Sequence, residues 1–107
     1  MTRVAFSTNG DNIDAEIAEH FGRAQNFLVY DMESGSNEIY ANPEVAGKEI
    51  LPPRFLYQHE VTDVVCFGLG HKAAKLFEEL SISVFKAEEG LIRDNIRRFK
   101  DSVLSRF

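Results

Sequence analysis

Five short runs of apolar residues along the chain predict five β-strands. They occupy residues 3–7, 27–31, 38–41, 63–68 and 81–85, and turn-forming residues bound them. The fourth run, DVVCFG, is apolar throughout its core rather than alternating, which is typical of a strand covered on both faces of a sheet. The sequence ESGSN between the second and third runs predicts a hairpin turn.

Two short helices are predicted in the first half of the chain. One is expected over residues 15–19, where Asp14 can serve as the cap. The other is expected over residues 54–59, because Pro53 is suited to a first helical turn. It follows a segment over residues 42–53 that is predicted to be a loop.

Two longer helices are predicted in the second half. The first opens after Gly70, and the second is expected to start at Glu88 and Glu89, because acidic residues are favourable at the positive end of a helix. Their apolar positions recur at helical spacing on one face of each helix. These positions are Ala73, Leu76, Phe77 and Leu80 in the first, and Ile92, Ile96, Phe99 and Val103 in the second.

The order of these elements predicts the fold. Helical crossovers join the third strand to the fourth and the fourth to the fifth. Right-handed crossovers and a fourth strand covered on both faces indicate a three-layer α/β/α domain. We expect one domain over residues 1–107, with a ribonuclease-H-like mixed sheet of five strands in the order 3-2-1-4-5 and the second strand antiparallel. A hydrophobic content of 44% suffices for one modest core.

Charge and cysteine content narrow the classes of partner. The formal charge of −5 argues against nucleic acid or an anionic membrane, because both require a basic surface. Cys66 is the only cysteine, so the chain has neither an internal disulfide nor a Cys-x-x-Cys site for zinc or a closed iron–sulfur cluster. Residues 1–16 lack the pattern of a signal peptide. We expect a cytoplasmic monomer in which Cys66 is a buried, inert thiol.

The exits of the first and fourth strands are the expected binding region. These strands form the central parallel pair, and ligands bind beyond the carboxyl ends of such strands. The exits read STNGDN and FGLGHK, so backbone N–H groups could face a ligand, although a tight strand-to-helix turn explains Gly-x-Gly equally well. A two-metal nuclease is not expected, because the first strand has no carboxylate, and Asp11 and Asp14 are better explained as turn and cap residues.

Three histidines are further candidates for chemistry. One interpretation of His20 is structural: Phe21 packs inward, Gly22 ends the helix with a positive φ, and the imidazole binds a terminal carbonyl group. His59 is expected on the surface. His71 follows Gly-Leu-Gly in a first helical turn, where a protonated imidazole is unfavourable, so either a neutral ring that faces a ligand or chance explains it.

Two long stretches carry a more specific signal. The first, FSTNGDNIDAEIAEHFGRAQNFLVYD, joins a strand, a polar glycine turn, His-Phe-Gly-Arg-Ala and a second strand. The second, DVVCFGLGHKAAKLFEELSISVFKAEEG, joins an apolar strand, Gly-x-Gly, an Ala-rich helix and a short strand. In this order they resemble the dinitrogenase iron–molybdenum cofactor biosynthesis family over nearly the whole chain. That family has a ribonuclease-H-like fold, and some members bind iron–sulfur or iron–molybdenum cofactor precursors during nitrogenase cofactor assembly.

The resemblance implies a cofactor site around His20, whose imidazole would be the metal contact. Gly22 would set the corner, and Arg23 would meet an anionic cluster. The glycine turns and a nearby histidine would complete the cradle, through Asn9, Gly10, Gly68, Gly70 and His71. Leu69 and His71 stand where methionine and proline are common in the family.

Two functions follow as hypotheses. The first is a non-catalytic carrier for an iron–sulfur or iron–molybdenum type metallocluster, or its precursor, with cofactor donor and acceptor proteins as partners. A carrier must release its cargo, so one or two imidazoles and backbone donors suffice, whereas a catalytic cluster is usually held by several thiolates. The second is an enzyme or sensor domain for a small organic anion bound in the same crevice.

Overall fold

The computed structural model describes residues 1–107 and shows a five-stranded mixed sheet in the order β3-β2-β1-β4-β5. Strand β2 is antiparallel to both β1 and β3, whereas β4 runs parallel to β1 and to β5. The predicted α/β fold and strand order are therefore confirmed. The strands are β1 (Arg3–Thr8), β2 (Asn26–Asp31), β3 (Asn37–Ala41), β4 (Asp63–Cys66) and β5 (Ser83–Lys86). The helices are α1 (Pro52–Gln58), α2 (His71–Glu79) and α3 (Ile92–Lys100), and a 3₁₀ turn spans Phe21–Arg23.

Two hydrophobic clusters cover opposite faces of this sheet. On one face, Ala5 and Val64 pack with Phe77 of α2 and Leu56 of α1. On the other face, side chains of the same strands pack against α3, and this cluster includes Val4, Phe6, Val65, Ile92 and Ile96. Alternate residues of β1 and β4 thus enter different clusters, because successive side chains of a strand point to opposite faces. Strand β4 is covered on both faces, as its unbroken apolar run predicts.

The segment over residues 15–19 is extended, so the helix predicted there is wrong. The N–H of Ala18 donates to the carbonyl of Ser7 at 2.8 Å, and the N–H of Ile92 donates to the carbonyl of Ala15 at 2.8 Å. The side chain of Asn12 accepts a hydrogen bond from the N–H of Asp14 at 2.8 Å and forms the turn before the segment. Pairing with β1 and α3 satisfies backbone groups that a single helical turn leaves unpaired, so tertiary hydrogen bonding overrides the local helix signal.

The last helix is shorter than predicted at both ends. It begins only at Ile92. The buried side chain of Asn95 donates hydrogen bonds to the carbonyls of Glu88 and Leu91, and these bonds hold residues 88–91 in a turn before the helix. It ends at Lys100, and the left-handed backbone at Ser102 turns the chain away. Val103 therefore lies outside the apolar stripe and is 64% exposed, contrary to prediction.

The C-terminal segment covers the outer edge of the sheet. The N–H of Lys86 donates to the carbonyl of Ser105 at 2.8 Å, and the N–H of Phe107 donates to the carbonyl of Val84 at 2.9 Å. Leu104 is buried against the α3 side of the sheet. The carbonyl of Val84 and the N–H of Lys86, which face away from β4, are thereby paired. No helix of the protein has the length and apolar character needed to cross a membrane.

Candidate functional site

Residues 16–20 carry His20 to the exit of β4. The N–H of Gly68 donates to the carbonyl of Glu19 at 2.9 Å, and the N–H of Phe21 donates to the carbonyl of Gly68 at 2.9 Å. These two bonds form a parallel bridge between His20 and Gly68. The His-Phe-Gly-Arg sequence is thus fixed directly to the carboxyl end of a central strand, where ligands bind in sheets of this type.

Gly68 is required by the closeness of this approach. A Cβ atom at Gly68 would lie 2.8 Å from the carbonyl oxygen of Glu19 and 3.1 Å from Nδ1 of His20. The first distance is shorter than a carbon–oxygen contact allows, and its partner is backbone, which cannot move aside without breaking the bridge. Gly68 therefore lets the backbone at His20 lie against the end of β4.

An open cavity of about 410 Å³ lies where these segments meet. We call it the His20 cavity; residues 20–23 and 68–70 line it. It brings together five residues that the sequence singles out, from two segments far apart in the chain: His20, Gly22, Arg23, Gly68 and Gly70. The side chains of His20 and Arg23 are exposed, so both the imidazole and the guanidinium are accessible to a ligand.

Backbone donors are also present in the turn from Gly68 to Gly70. The N–H of Gly68 is occupied by the carbonyl of Glu19. The N–H groups of Leu69 and Gly70 donate to no backbone carbonyl, and both residues line the His20 cavity. Leu69 and Gly70, rather than Gly68, are the amides that remain available to a ligand.

Asn9 and Gly10 lie outside the lining of the His20 cavity. The side-chain oxygen of Asn9 accepts from the N–H of Gln25 at 3.0 Å, and the carbonyl of Gly10 accepts from the side chain of Asn26 at 2.8 Å. A Cβ atom at Gly10 would clash with that of Ala15, so only glycine fits there. Both residues brace the chain that follows Arg23. His71, the first residue of α2, is exposed and is also outside the lining.

The turn at Phe21–Arg23 is held from beneath. Phe21 is buried, with its ring centroid 5.0 Å from that of Phe27 and 5.3 Å from that of Phe77. This confirms the expectation that Phe21 packs inward. The expectation that Gly22 ends a helix with a positive φ is wrong, since the glycines with positive φ are Gly35, Gly47 and Gly90.

His59 is half-buried rather than on the surface, contrary to prediction. Its ring centroid lies 4.2 Å from that of Tyr40 and 4.5 Å from that of Phe55. Its carbonyl accepts a hydrogen bond from Nε of Arg3 at 3.2 Å. His59 therefore packs α1 against the sheet and does not line the His20 cavity.

Cys66 is fully buried, as expected. Burial raises the pKa of its thiol to about 12, so the thiolate that binds metal is disfavoured. No three His, Cys, Asp or Glu side chains anywhere in the chain are grouped so that they could hold a metal ion. The His20 cavity therefore offers one imidazole, one guanidinium and two backbone amides. This set of groups is suited to binding a preformed anionic group.

Sequence reasoning missed the contribution of the segment assigned to a loop. Asn42 is fully buried, and its side chain holds the turn next to the His20 cavity. A second pocket, of about 220 Å³, lies between the first turns of α1 and α2 and adjoins the first cavity. The only local signals were the Asn-Pro and Pro-Pro pairs at residues 42–43 and 52–53, which fix backbone direction without revealing what packs there.

Comparison with known proteins gives consistent matches over most of the chain. The model of the family described as "Dinitrogenase iron-molybdenum cofactor" matches residues 1–102. The uncharacterized protein MJ0580 of Methanocaldococcus jannaschii is 27% identical over 97 residues, which are 85% of this chain and 82% of that protein. The apo form of the orange protein from Desulfovibrio gigas has a TM-score of 0.90 at 24% identity, covering 100% of this chain and 93% of that one. TM1290 from Thermotoga, of the DUF35 family, has a TM-score of 0.83 at 23% identity, and the match covers 99% of this chain and 93% of that one. The two structural likenesses establish a shared fold.

Proposed function

Because the chain belongs to the dinitrogenase iron–molybdenum cofactor family, we propose that it is a non-catalytic carrier. Its cargo is an iron–sulfur or iron–molybdenum type metallocluster, or a precursor of one, and the cargo binds in the His20 cavity. The observation that carries this proposal is the bridge between His20 and Gly68, which fixes an exposed imidazole at the exit of a central strand.

Each group that lines the cavity has a role toward such cargo. The imidazole of His20 supplies a ligand for a metal atom at the edge of the cluster. Arg23 takes part in none of the four ion pairs of the protein, so its guanidinium is free to attract an anionic cluster. The amides of Leu69 and Gly70 donate to sulfur or oxygen atoms of the cargo. A single protein ligand suits transfer to an acceptor protein, because release then breaks one metal–protein bond.

The other predicted positions act indirectly. Asn9 and Gly10 brace residues 25–26, and so limit movement of the turn that holds Arg23. Gly22 leaves room at the corner of the cavity. His71 directly follows Gly70 and is a second imidazole near the rim, available where the cargo extends beyond the cavity.

A small organic anion in the same cavity is the second candidate function, in a sensor or an enzyme. The observation that favours it is that Arg23 and two backbone amides meet without a chelating set of side chains. In that case acetate or citrate binds in the cavity, and removal of the His20 imidazole has little effect on that binding.

His20→Ala separates the two candidates. Because the imidazole is exposed, its loss should change the free energy of unfolding by no more than about 0.5 kcal/mol in urea denaturation. In anaerobic titrations with isolated iron–molybdenum cofactor and with a synthetic iron–sulfur cluster, followed by absorption and iron analysis, cluster affinity should fall at least tenfold.

Gln25→Ala is the matched control, since Gln25 is exposed near Arg23 but outside the cavity lining. It should bind cluster as the unmodified protein does. Unchanged cluster affinity in a stably folded His20→Ala protein would refute the role of the imidazole. Saturable binding of citrate in the His20 cavity, with no cluster bound by any variant, would favour the organic-anion function instead.

A further inference from the structure

The 220 Å³ pocket beside the His20 cavity has walls of a different character. We call it the α1–α2 pocket. Its walls are mainly apolar side chains, from Phe21, Leu51, Pro52, Pro53, Ala73 and Leu76. The His20 cavity has a polar lining that comes from a histidine and an arginine, whereas apolar surface dominates the lining of the α1–α2 pocket. Such a pocket favours a ligand with a compact hydrocarbon body.

The size of the pocket limits that ligand. An apolar cavity of about 150 Å³ accommodates benzene, so 220 Å³ has room for roughly nine non-hydrogen atoms. A dinucleotide, a porphyrin or a lipid chain exceeds this volume and would extend out of the pocket. A small metabolite of about the size of leucine fits.

Two opposite charges stand at the edge of this apolar surface. Glu44 and Lys72 both line the pocket, and neither takes part in an ion pair of the protein. Oε2 of Glu44 lies 3.5 Å from the position that a Cβ atom on Gly22 would occupy, at the wall shared with the His20 cavity. Lys72 lies on α2, one residue before Ala73. The pocket therefore offers an acceptor for a cation and a donor for an anion beside one apolar surface.

We propose that the α1–α2 pocket binds a small apolar α-amino acid as its zwitterion. The ammonium group of the ligand pairs with Glu44, its carboxylate pairs with Lys72, and its side chain packs on Pro52, Pro53 and Leu76. Glu44 and Lys72 are both exposed, so selection comes from attraction and repulsion at the rim. A simple carboxylic acid would bring a second negative charge beside Glu44, and a simple amine would bring a second positive charge beside Lys72. The charge pair thus selects for molecules that carry both groups. This site is distinct from the proposed cluster site, although the two share a wall.

Binding of L-leucine to the ¹⁵N-labelled protein tests the proposal. Leu51, Ala73 and Leu76 line the α1–α2 pocket but not the His20 cavity. Their amide signals should shift as leucine is added and reach a plateau at saturation. Isocaproate lacks the ammonium group and isoamylamine lacks the carboxylate, so each should bind at least tenfold more weakly than leucine. Absence of saturable binding would overturn the proposal, as would equal binding of leucine and isocaproate.

Matched variants assign the charges. Lys72→Ala and Glu44→Gln should each weaken leucine binding at least tenfold. Lys75→Ala and Glu49→Gln change exposed residues of the same helix and the same loop that lie outside the pocket, so they should bind leucine normally. Equal affinity for leucine in all four variants would refute the assigned contacts. Amide shifts centred on His20 and Arg23 would show that leucine binds in the His20 cavity instead, and would overturn the proposal. His20→Ala should bind leucine normally, so loss of cluster binding and loss of leucine binding are separate outcomes.

Discussion

The side-chain amide of Asn42 donates a hydrogen bond to the carbonyl oxygen of Ala24 at 2.8 Å, across 18 residues of sequence. The same fully buried side chain accepts a hydrogen bond from the N–H of Glu44 at 3.0 Å. Its backbone N–H donates to the carbonyl of Gln25 at 2.9 Å. Asn42 thus joins the end of β3 to the turn that presents His20 and Arg23.

Asn42→Ala should lower the free energy of unfolding by about 1–3 kcal/mol. The substitution leaves the carbonyl of Ala24 without its partner in a buried setting and also removes the part-buried bond to the N–H of Glu44. Urea denaturation measures the change. Asn37→Ala is the control, because Asn37 is exposed at the start of β3, and it should change stability by no more than about 0.5 kcal/mol. Equal stability of the two variants would contradict the assigned role of Asn42.

Gly68→Ala should destabilise the protein by roughly 1–3 kcal/mol, because the new methyl group would lie 2.8 Å from the carbonyl of Glu19. The bridge to the His20 segment should loosen, so hydrogen exchange at the amide of Phe21 should become faster. Gly70→Ala is the matched control, since nothing lies within 4 Å of its Cβ position and its φ is −74°. Its stability should change by no more than about 0.5 kcal/mol. Protection of the Phe21 amide that is equal in both variants would argue against a steric requirement at Gly68.

Cys66 should make stability depend on pH in the alkaline range. Burial raises the pKa of its thiol from 9.0 to about 12 in the folded protein. Above pH 9 the unfolded chain loses this proton while the folded protein retains it, so ionisation favours the unfolded chain. The contribution of Cys66 should therefore be fully present below pH 9 and fall by about 1.4 kcal/mol per pH unit between pH 9 and 12.

Comparison with Cys66→Ala isolates this effect. The alanine variant loses packing at every pH, and that cost is constant, whereas the thiol contribution changes with pH. The stability difference between the two proteins in urea should shrink as the pH rises from 8 to 10.5. Lysine and tyrosine titrations affect both proteins alike. A difference that stays constant over this range, or rapid labelling of native Cys66 by a thiol reagent at pH 8, would contradict the burial argument.

The sheet could be predicted because its signals are local and mutually consistent. Strand β4 shows its two-sided coverage in an unbroken apolar run, and the hairpin between β2 and β3 has characteristic turn residues. The order of strands then follows from handedness and short connections. The helix expected over residues 15–19 failed because the backbone bonds of that segment are made to Ser7 and Ile92, and distant partners of this kind leave no periodicity in the sequence.

The candidate site was predictable in part for the same reason. Gly68 follows the end of β4, and His20 lies in the connection from β1 to the antiparallel β2, which crosses the same edge of the sheet. The topology alone therefore brings both to the carboxyl edge of the central strands. The direct contact between them depends on distances of a few ångström, and the spacing of residues along the sequence does not predict these. The brace at Asn42 and the α1–α2 pocket depend on how residues 42–53 pack, and the Asn-Pro and Pro-Pro pairs of this loop do not reveal that packing.

Arg23→Gln tests the electrostatic part of the proposed carrier function. The guanidinium is exposed beside His20 and has no ion-pair partner in the protein, so it attracts an anionic cluster as the cluster approaches. At 20 mM salt its removal should weaken cluster binding about three- to tenfold, mainly through slower association. At 500 mM salt the difference from the unmodified protein should become small, because salt screens interactions between exposed charges.

Arg54→Gln is the control for overall charge. Arg54 is exposed on α1, outside the His20 cavity, and its loss changes the net charge of the protein by the same amount. It should leave cluster affinity within about twofold at both salt concentrations, since long-range steering by one distant charge is weak. Stopped-flow association rates under anaerobic conditions separate the local effect from the overall one. If both arginine variants weaken binding equally, net charge rather than the position of Arg23 attracts the cargo. If Arg23→Gln loses affinity equally at both salt concentrations, its side chain makes a close structural contact and does not act by long-range attraction.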